Sequence, residues 1–222
     1  MKPLHCLSSV RFGSFLSYAP RGTSEDSAKA KRITYAIKNV RSGFIKNVVS
    51  RLCAEMPPGR RAAALTEVLG DDVLVVPCPK SSPLVKGALW PSQAICDELV
   101  GQGLAMSSAA ILERVKAVPK SSTSAIGERP KPLDHMRSMA VVSQPELDLQ
   151  KITKVTLVDD VITRGATLIA GASLLQQCFP EAEIRIFAMV RTKSYDAEVG
   201  AILDPVIGDV VFNGVDADRK DK

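Results

Sequence analysis

The chain has 222 residues, 45% of them hydrophobic and 24% charged, with a formal net charge of +5; these are the proportions of a folded globular protein with one core or one core and an appended subdomain. Aromatic side chains make up only 5%, which leaves few stacking platforms for single-stranded nucleic acid, and no apolar run has the length of a membrane span. The five cysteines, at 6, 53, 78, 96 and 178, form no CxxC or Cys/His pair with zinc-ligand spacing, and Ser8, Ser9, Arg11 and Ser14 interrupt any signal core, so reduced, mostly buried thiols in a cytoplasmic protein are expected.

Residues 1–20 read as an extended lead-in. A helix is predicted from Thr23, where Thr23 and Asp26 have capping-box spacing with Asp in place of Glu. Ile33, Ala36, Ile37 and Val40 continue it at helical spacing until Gly43. Pro57-Pro58-Gly59 is a break, and 60–69 a short Ala/Leu helix ended by Gly70. Residues 73–76 form an apolar run of strand length closed by Pro77 and Pro79, and Pro91 opens a helix with Ile95, Leu99 and Val100 on its apolar stripe. A second strand is predicted at 111–118, a polar irregular loop at 119–138 and a third strand at 139–142. The fourth strand is 155–158, followed by a helix at 166–179, a fifth strand at 184–190 and a hairpin over 202–215. The tail 216–222 mixes both charge signs and is expected to fray. Strands alternating with helices predict an α/β fold with a central, mainly parallel sheet flanked by helices. The core would span 71–200, with 1–70 as an N-terminal helical segment and 201–222 as a C-terminal segment, both packed at one edge.

The informative stretch, 155–168, reads Val-Thr-Leu-Val-Asp-Asp-Val-Ile-Thr-Arg-Gly-Ala-Thr-Leu. A buried strand delivers Asp159 and Asp160 at its C-terminal end, where open α/β sheets bind ligands. Thr163, Arg164, Gly165, Ala166 and Thr167 then turn into a helix. Gly165 permits a tight turn and close backbone approach, the helix-start amides favour an anion, and the Thr hydroxyls add donors. Acceptors for sugar hydroxyls beside donors for a phosphate fit a ribose 5-phosphate. A plain helix cap would account for one acid and one Thr. A receiver-type domain would carry its Asp-Asp pair on the first strand, not late in the chain.

This stretch resembles the phosphoribosyl pyrophosphate (PRPP) motif of type I phosphoribosyltransferases: four apolar residues, two acids, two apolar residues, then Thr-x-Gly-x-Thr. The resemblance implies that fold, with a hood built by the N- and C-terminal segments. It also implies transfer of a 5-phosphoribosyl group from magnesium-PRPP to a nitrogen acceptor, a nucleobase or small amine, with release of pyrophosphate. Asp159 and Asp160 would hold the ribose 2- and 3-hydroxyls, and Thr163–Thr167 would cradle the 5-phosphate. Mg2+ would be bound mainly through PRPP, near the two acids and without a direct side-chain ligand, in a protein that is a homodimer and has no membrane partner.

Two further segments take roles from the same resemblance. The loop after the first core strand, Pro77-Cys78-Pro79-Lys80-Ser81-Ser82 with Lys86-Gly87 beyond it, would embrace pyrophosphate through Lys80, Ser81 and Lys86; otherwise it is a proline-rich turn with solvated lysines. The loop 119–138 lies where the family carries its mobile catalytic loop. From Leu112 the chain is similar to the competence-associated ComF-type members, whose Ser-bearing basic loop leads into an Arg before the next strand. On that comparison Lys120, Ser121 and Arg137 match, and Lys120 and Arg137 are catalytic candidates, although the ComF-type N-terminal zinc-binding cysteines are absent. His135 reads as a solvent-facing loop histidine, and Arg21 with Gly22 and Asp204 with Pro205 are assigned to the hood. Other readings are a non-catalytic PRPP- or nucleotide-sensing regulator, and a component of a DNA-uptake or defence complex. The sequence pI of about 9.0 leaves room for nucleic acid, but no helix-turn-helix signature precedes the domain.

Overall fold

The computed structural model describes residues 4–119, 129–144, 151–194 and 197–222. In chain order the elements are β1 (Ser9–Tyr18), α1 (Glu25–Lys38), α2 (Phe44–Glu55), a 3-10 turn at Ala63–Glu67, β2 (Gly70–Pro77), α3 (Pro91–Gly101), β3 (Ala105–Ser108), β4 (Leu112–Arg114), α4 (Pro132–Arg137), β5 (Met139–Val141), β6 (Lys154–Ile162), α5 (Ala166–Cys178), β7 (Glu183–Thr192), β8 (Leu203–Phe212) and β9 (Ala217–Asp221). One seven-stranded sheet runs β3-β2-β6-β7-β1-β8-β9. It is parallel from β3 through β1, and β8 and β9 add antiparallel at the edge. β4 and β5 form a separate antiparallel ribbon. The architecture is therefore α/β, mainly parallel, with helices on both faces.

The central strands are buried on both sides, which is why their apolar runs are nearly continuous instead of alternating. Adjacent residues feed opposite layers. Leu157 and Ile186 join Leu168, Ile169, Leu112 and Met136 under α5, while Val158 and Phe187 join Phe15, Ile37, Leu52, Ile95 and Leu99 under α1 to α3. Every residue from Leu168 to Leu175 of α5 is buried, so this helix is enclosed by the sheet on one side and the β4–β5 ribbon with α4 on the other.

Several boundaries differ from the sequence expectation. The extended lead-in contains β1, a strand paired with β7 and β8; its Ser14 and Ser17 are buried, and these small polar residues break the apolar run that would have announced it. Helix α1 starts after Ser24, whose hydroxyl accepts from Ser27 N at 3.2 Å; Thr23 N donates instead to Glu198 Oε1 at 2.7 Å. Residues 60–69 hold only the 3-10 turn. The strand predicted at 111–118 shrinks to β4 and leaves the main sheet, as does β5, while the polar four-residue β3 went unread. Helix α4 occupies part of the loop 119–138; Pro132 begins it and Asp134 Oδ2 accepts from Lys131 N at 3.0 Å. The tail does not fray: 217–221 is β9, held by Arg191–Asp221 at 3.2 Å and by Arg219. No helix of the described residues is long and apolar enough to cross a membrane.

Candidate functional site

Strand β6 runs beyond its predicted end and carries both acids within it. Beside it β2 ends at Pro77, and Cys78 N donates to Val158 O at 2.8 Å, so the loop after β2 leaves the sheet next to the acid pair. Asp159 Oδ1 accepts from Ser92 Oγ at 3.1 Å, near the start of α3, and from Asp160 N at 2.9 Å. Asp160 Oδ1 accepts from Val161 N at 2.8 Å. Both acids keep part of their surface open. Burial of its carboxyl, followed by the neighbouring Asp160 carboxylate, pushes Asp159 well above the usual carboxylate range. Burial and then Asp159 raise the Cys78 thiol in the same way, so this cysteine is no ready nucleophile.

After β6 the chain turns through exposed Thr163 and Arg164 into Gly165, which sits at φ +92 as the N-cap of α5. The first amides of α5, at Ala166, Thr167 and Leu168, have no acceptor among the described residues and supply the anion-facing donors of a helix start. A Cβ on Gly165 would lie 2.6 Å from Val210 Cγ1, so β8 packing as well as φ demands glycine here. Arg164 pairs with Asp216 at 3.2 Å. Arg219, from β9, donates Nη1 to Thr163 O at 3.1 Å and Ile162 O at 3.3 Å, and Nη2 to Thr192 O at 2.8 Å. The Thr167 hydroxyl meets His135 Nε2 at 3.2 Å.

His135 is the clearest correction. It is 2% exposed, not solvent-facing, because α4 folds it onto α5. Burial, then the Arg114 charge, lower its pKa to about 4. Arg114, also buried, donates Nε to Lys80 O at 2.8 Å and Nη1 to Ser138 Oγ at 2.6 Å. Sequence reasoning missed Ser92, Arg114 and Arg219. The one visible signal was an Arg set in an apolar strand pattern at 111–114; the other two act through contacts distant in sequence.

The remaining predicted residues are more dispersed. Lys80 Nζ donates to Leu89 O at 2.9 Å, and Ser81 O accepts from Val118 N at 2.8 Å. Lys86 is exposed just before Gly87. Arg137 is largely solvent-facing and pairs with Asp134 at 3.6 Å. Lys120 and Ser121 lie outside the described residues. Asp204 is held by Arg191 and Lys193, each at 2.7 Å. A cavity of about 520 Å3 lies beside the loop after β2, lined by Pro79, Lys80, Trp90, Arg114 and Val115 among others. Among the described residues no three His, Cys, Asp or Glu side chains gather as a metal site.

No protein-family model matches the chain, and no curated protein matches it. Among solved structures it is similar to a hypoxanthine phosphoribosyltransferase from Staphylococcus aureus, at 15% identity over 70% of each chain and a TM-score of 0.35. A likeness of that size assigns no activity.

Proposed function

We propose that the chain is a phosphoribosyltransferase that transfers the 5-phosphoribosyl group of magnesium-PRPP to a nitrogen acceptor and releases pyrophosphate. The observation that carries this reading is the junction, near the end of β6, of two partly exposed acidic residues with a Gly165 turn and three α5 amides that have no acceptor among the described residues. Acceptors for vicinal hydroxyls and donors for a terminal phosphate thus stand one turn apart on the same chain segment.

In this reading the carboxylates of Asp159 and Asp160 grip the ribose. Asp159 Oδ1 is already engaged by Ser92 and by the Asp160 amide, so Oδ2 is the atom a ribose hydroxyl would meet. The Thr163–Thr167 turn anchors the phosphate. With both ends of the sugar fixed, the bond from C1 to the diphosphate breaks as the bond to the acceptor nitrogen forms on the opposite face, through an oxocarbenium-like state. No protein nucleophile is required, and the rate advantage comes from positioning. Asp159 and Asp160, as oxygen donors, would stand beside a magnesium ion brought in with PRPP, since magnesium prefers oxygen ligands and keeps several waters; its charge would stabilise diphosphate as the leaving group.

A second reading, a PRPP sensor without turnover, draws on Lys80, whose ammonium is bound to a backbone carbonyl and not held out toward a diphosphate. Pyrophosphate release from magnesium-PRPP across a panel of purines, pyrimidines and amines separates the two. Release with an acceptor supports the transferase. Tight calorimetric binding without release moves the assignment to the sensor, and absence of binding defeats both.

A further inference from the structure

Charge is unevenly placed along this chain. Residues 1–70 hold twelve basic and four acidic side chains, a net +8, whereas 71–222 hold seventeen and twenty, a net −3. The excess narrows further to 38–61, where Lys38, Arg41, Lys46, Arg51, Arg60 and Arg61 stand against a single acid, Glu55. That segment alone carries a net +5, the charge of the whole chain. All six cations are exposed, while Glu55 is 7% exposed and paired with Arg51 at 2.6 Å.

Elsewhere many cations are neutralised locally: Arg11, Lys154, Arg164, Arg191 and Arg219 each sit in an ion pair. Of the six in 38–61, only Arg51 has an acidic partner among the described residues. The fold keeps them on neighbouring elements. Helix α2 turns Ile45, Val49 and Leu52 inward, which leaves Lys46, Asn47, Ser50 and Arg51 exposed. Lys38 ends α1, and Arg41 lies in the short link to α2. Arg61 comes back to α2: with Arg51 and Asn47 it lines one cavity beside α1, where Asp26 is taken by Lys29 at 3.8 Å.

A cluster of unneutralised like charges repels itself, and a polyanion relieves that repulsion. Arginines and lysines interspersed with exposed Ser42, Asn47 and Ser50 are the side chains that meet phosphodiester backbones. Tyr35 is the one large hydrophobic side chain exposed on α1 and α2, which leaves a membrane little to take up. Its ring lies under the Arg41 guanidinium, 5.7 Å from the centroid, so this face has no row of free aromatic rings on which a single strand could stack its bases.

We propose that the α1–α2 face binds the phosphate backbone of a nucleic-acid duplex without reading its sequence. The inference uses none of the residues assigned to the phosphoribosyl group and stands or falls apart from that reading.

The test is fluorescence anisotropy of labelled duplexes of about 20 base pairs, DNA and RNA in separate arms, between roughly 50 and 300 mM salt. At least one duplex is expected to bind, equally well when its sequence is scrambled, with a log–log salt slope of about −3 to −5 for four or five phosphate contacts. The triple variant Arg41→Ala, Lys46→Ala, Arg61→Ala should bind at least about tenfold more weakly at low salt, with the slope reduced by about 2 to 3. The control Lys154→Ala, Lys220→Ala, Lys222→Ala removes the same net charge from paired positions elsewhere and should bind nearly as wild type does. Where the first triple does not fold, Lys46→Ala alone should lower the slope by about 1. Equal losses in the two triples would mean that only net charge matters, and the face is overturned. No binding of either duplex at low salt overturns it as well. So does tight binding to phosphatidylserine vesicles that the Arg41, Lys46 and Arg61 changes abolish while duplex binding persists, which would assign the face to a lipid surface.

Discussion

The carboxylate of Asp159 accepts a hydrogen bond from the backbone amide of Asp160 at 2.9 Å, so the first acid of the pair is folded onto the second. The two neighbours are therefore not equivalent. Asp159 is built into the protein, beside Ser92 and the Cys78 thiol, with its pKa raised by burial and by Asp160. A raised folded-state pKa favours the fold below the unfolded value and counts against it as pH rises and the group is forced to ionise. Asp159→Asn keeps the shape and the Oδ1 acceptor while removing the charge. The empty variant is expected to be more stable than wild type at pH 7, by roughly 1 kcal/mol or more, with the gap closing toward pH 4, and to lose affinity for ribose 5-phosphate. Urea unfolding at both pH values measures the first effect and calorimetry the second. A variant less stable than wild type at pH 7 would refute the burial argument.

Gly165 carries two constraints that a substitution separates. Its φ of +92 strains any residue with a Cβ, and that Cβ would meet Val210 Cγ1 at 2.6 Å. Gly165→Ala should therefore lower stability by about 2–3 kcal/mol, the sum of left-handed strain and overpacking. Adding Val210→Ala should relieve the packing component and leave the strain, so that the double variant is more stable than the two separate losses would add to. Strict additivity in denaturant melts would mean that the clash is not felt.

The legibility of these residues in the sequence follows their physics. The fourth strand, its acid pair and the Gly turn were legible because local rules fix them: an apolar run needs a buried strand, and a glycine before a helix needs an unusual φ. The short helix around His135 is not legible, because six helical residues bounded by Pro132 and Arg137 give too little periodicity to register. Burial of His135 depends on α4 docking against α5, a contact across more than thirty residues of sequence. β1 was hidden by its buried serines, and β9 by a charge-rich composition that its ion pairs neutralise only once β8 stands beside it.

The buried His135 sets an acid limit on stability. Its pKa lies at about 4, against an ordinary 6.5, through burial first and the Arg114 charge second, with Asp134 opposing them. Between these values the unfolded chain holds a proton that the folded chain lacks, so stability is complete above pH 6.5 and declines as pH falls toward 4. The loss is on the order of 3 kcal/mol across that window. Denaturant melts between pH 7 and 4 should show this decline in wild type and a flatter limb in His135→Phe. Parallel limbs would show that His135 titrates normally.

Arg219 joins the last strand to the turn between β6 and α5, the proposed phosphate cradle. Its guanidinium spans the carbonyls of Ile162 and Thr163 on one side and Thr192 on the other, with Asp221 at 2.7 Å and the Phe12 ring 6.0 Å away. A planar fork can serve carbonyls on two strands at once, whereas a lysine ammonium on a flexible stem cannot hold that geometry. Arg219→Lys keeps the charge and the ion pair but gives up the bridge, so a loss of about 1–3 kcal/mol in unfolding free energy is expected. Weaker binding of ribose 5-phosphate should accompany it, because the carbonyls that fix the start of the turn are released. Lys220→Ala, one residue along and largely exposed, is the control and should change stability by no more than about 0.5 kcal/mol. Equal effects of the two variants on ligand affinity would mean that β9 acts only through its charge and not by holding the turn.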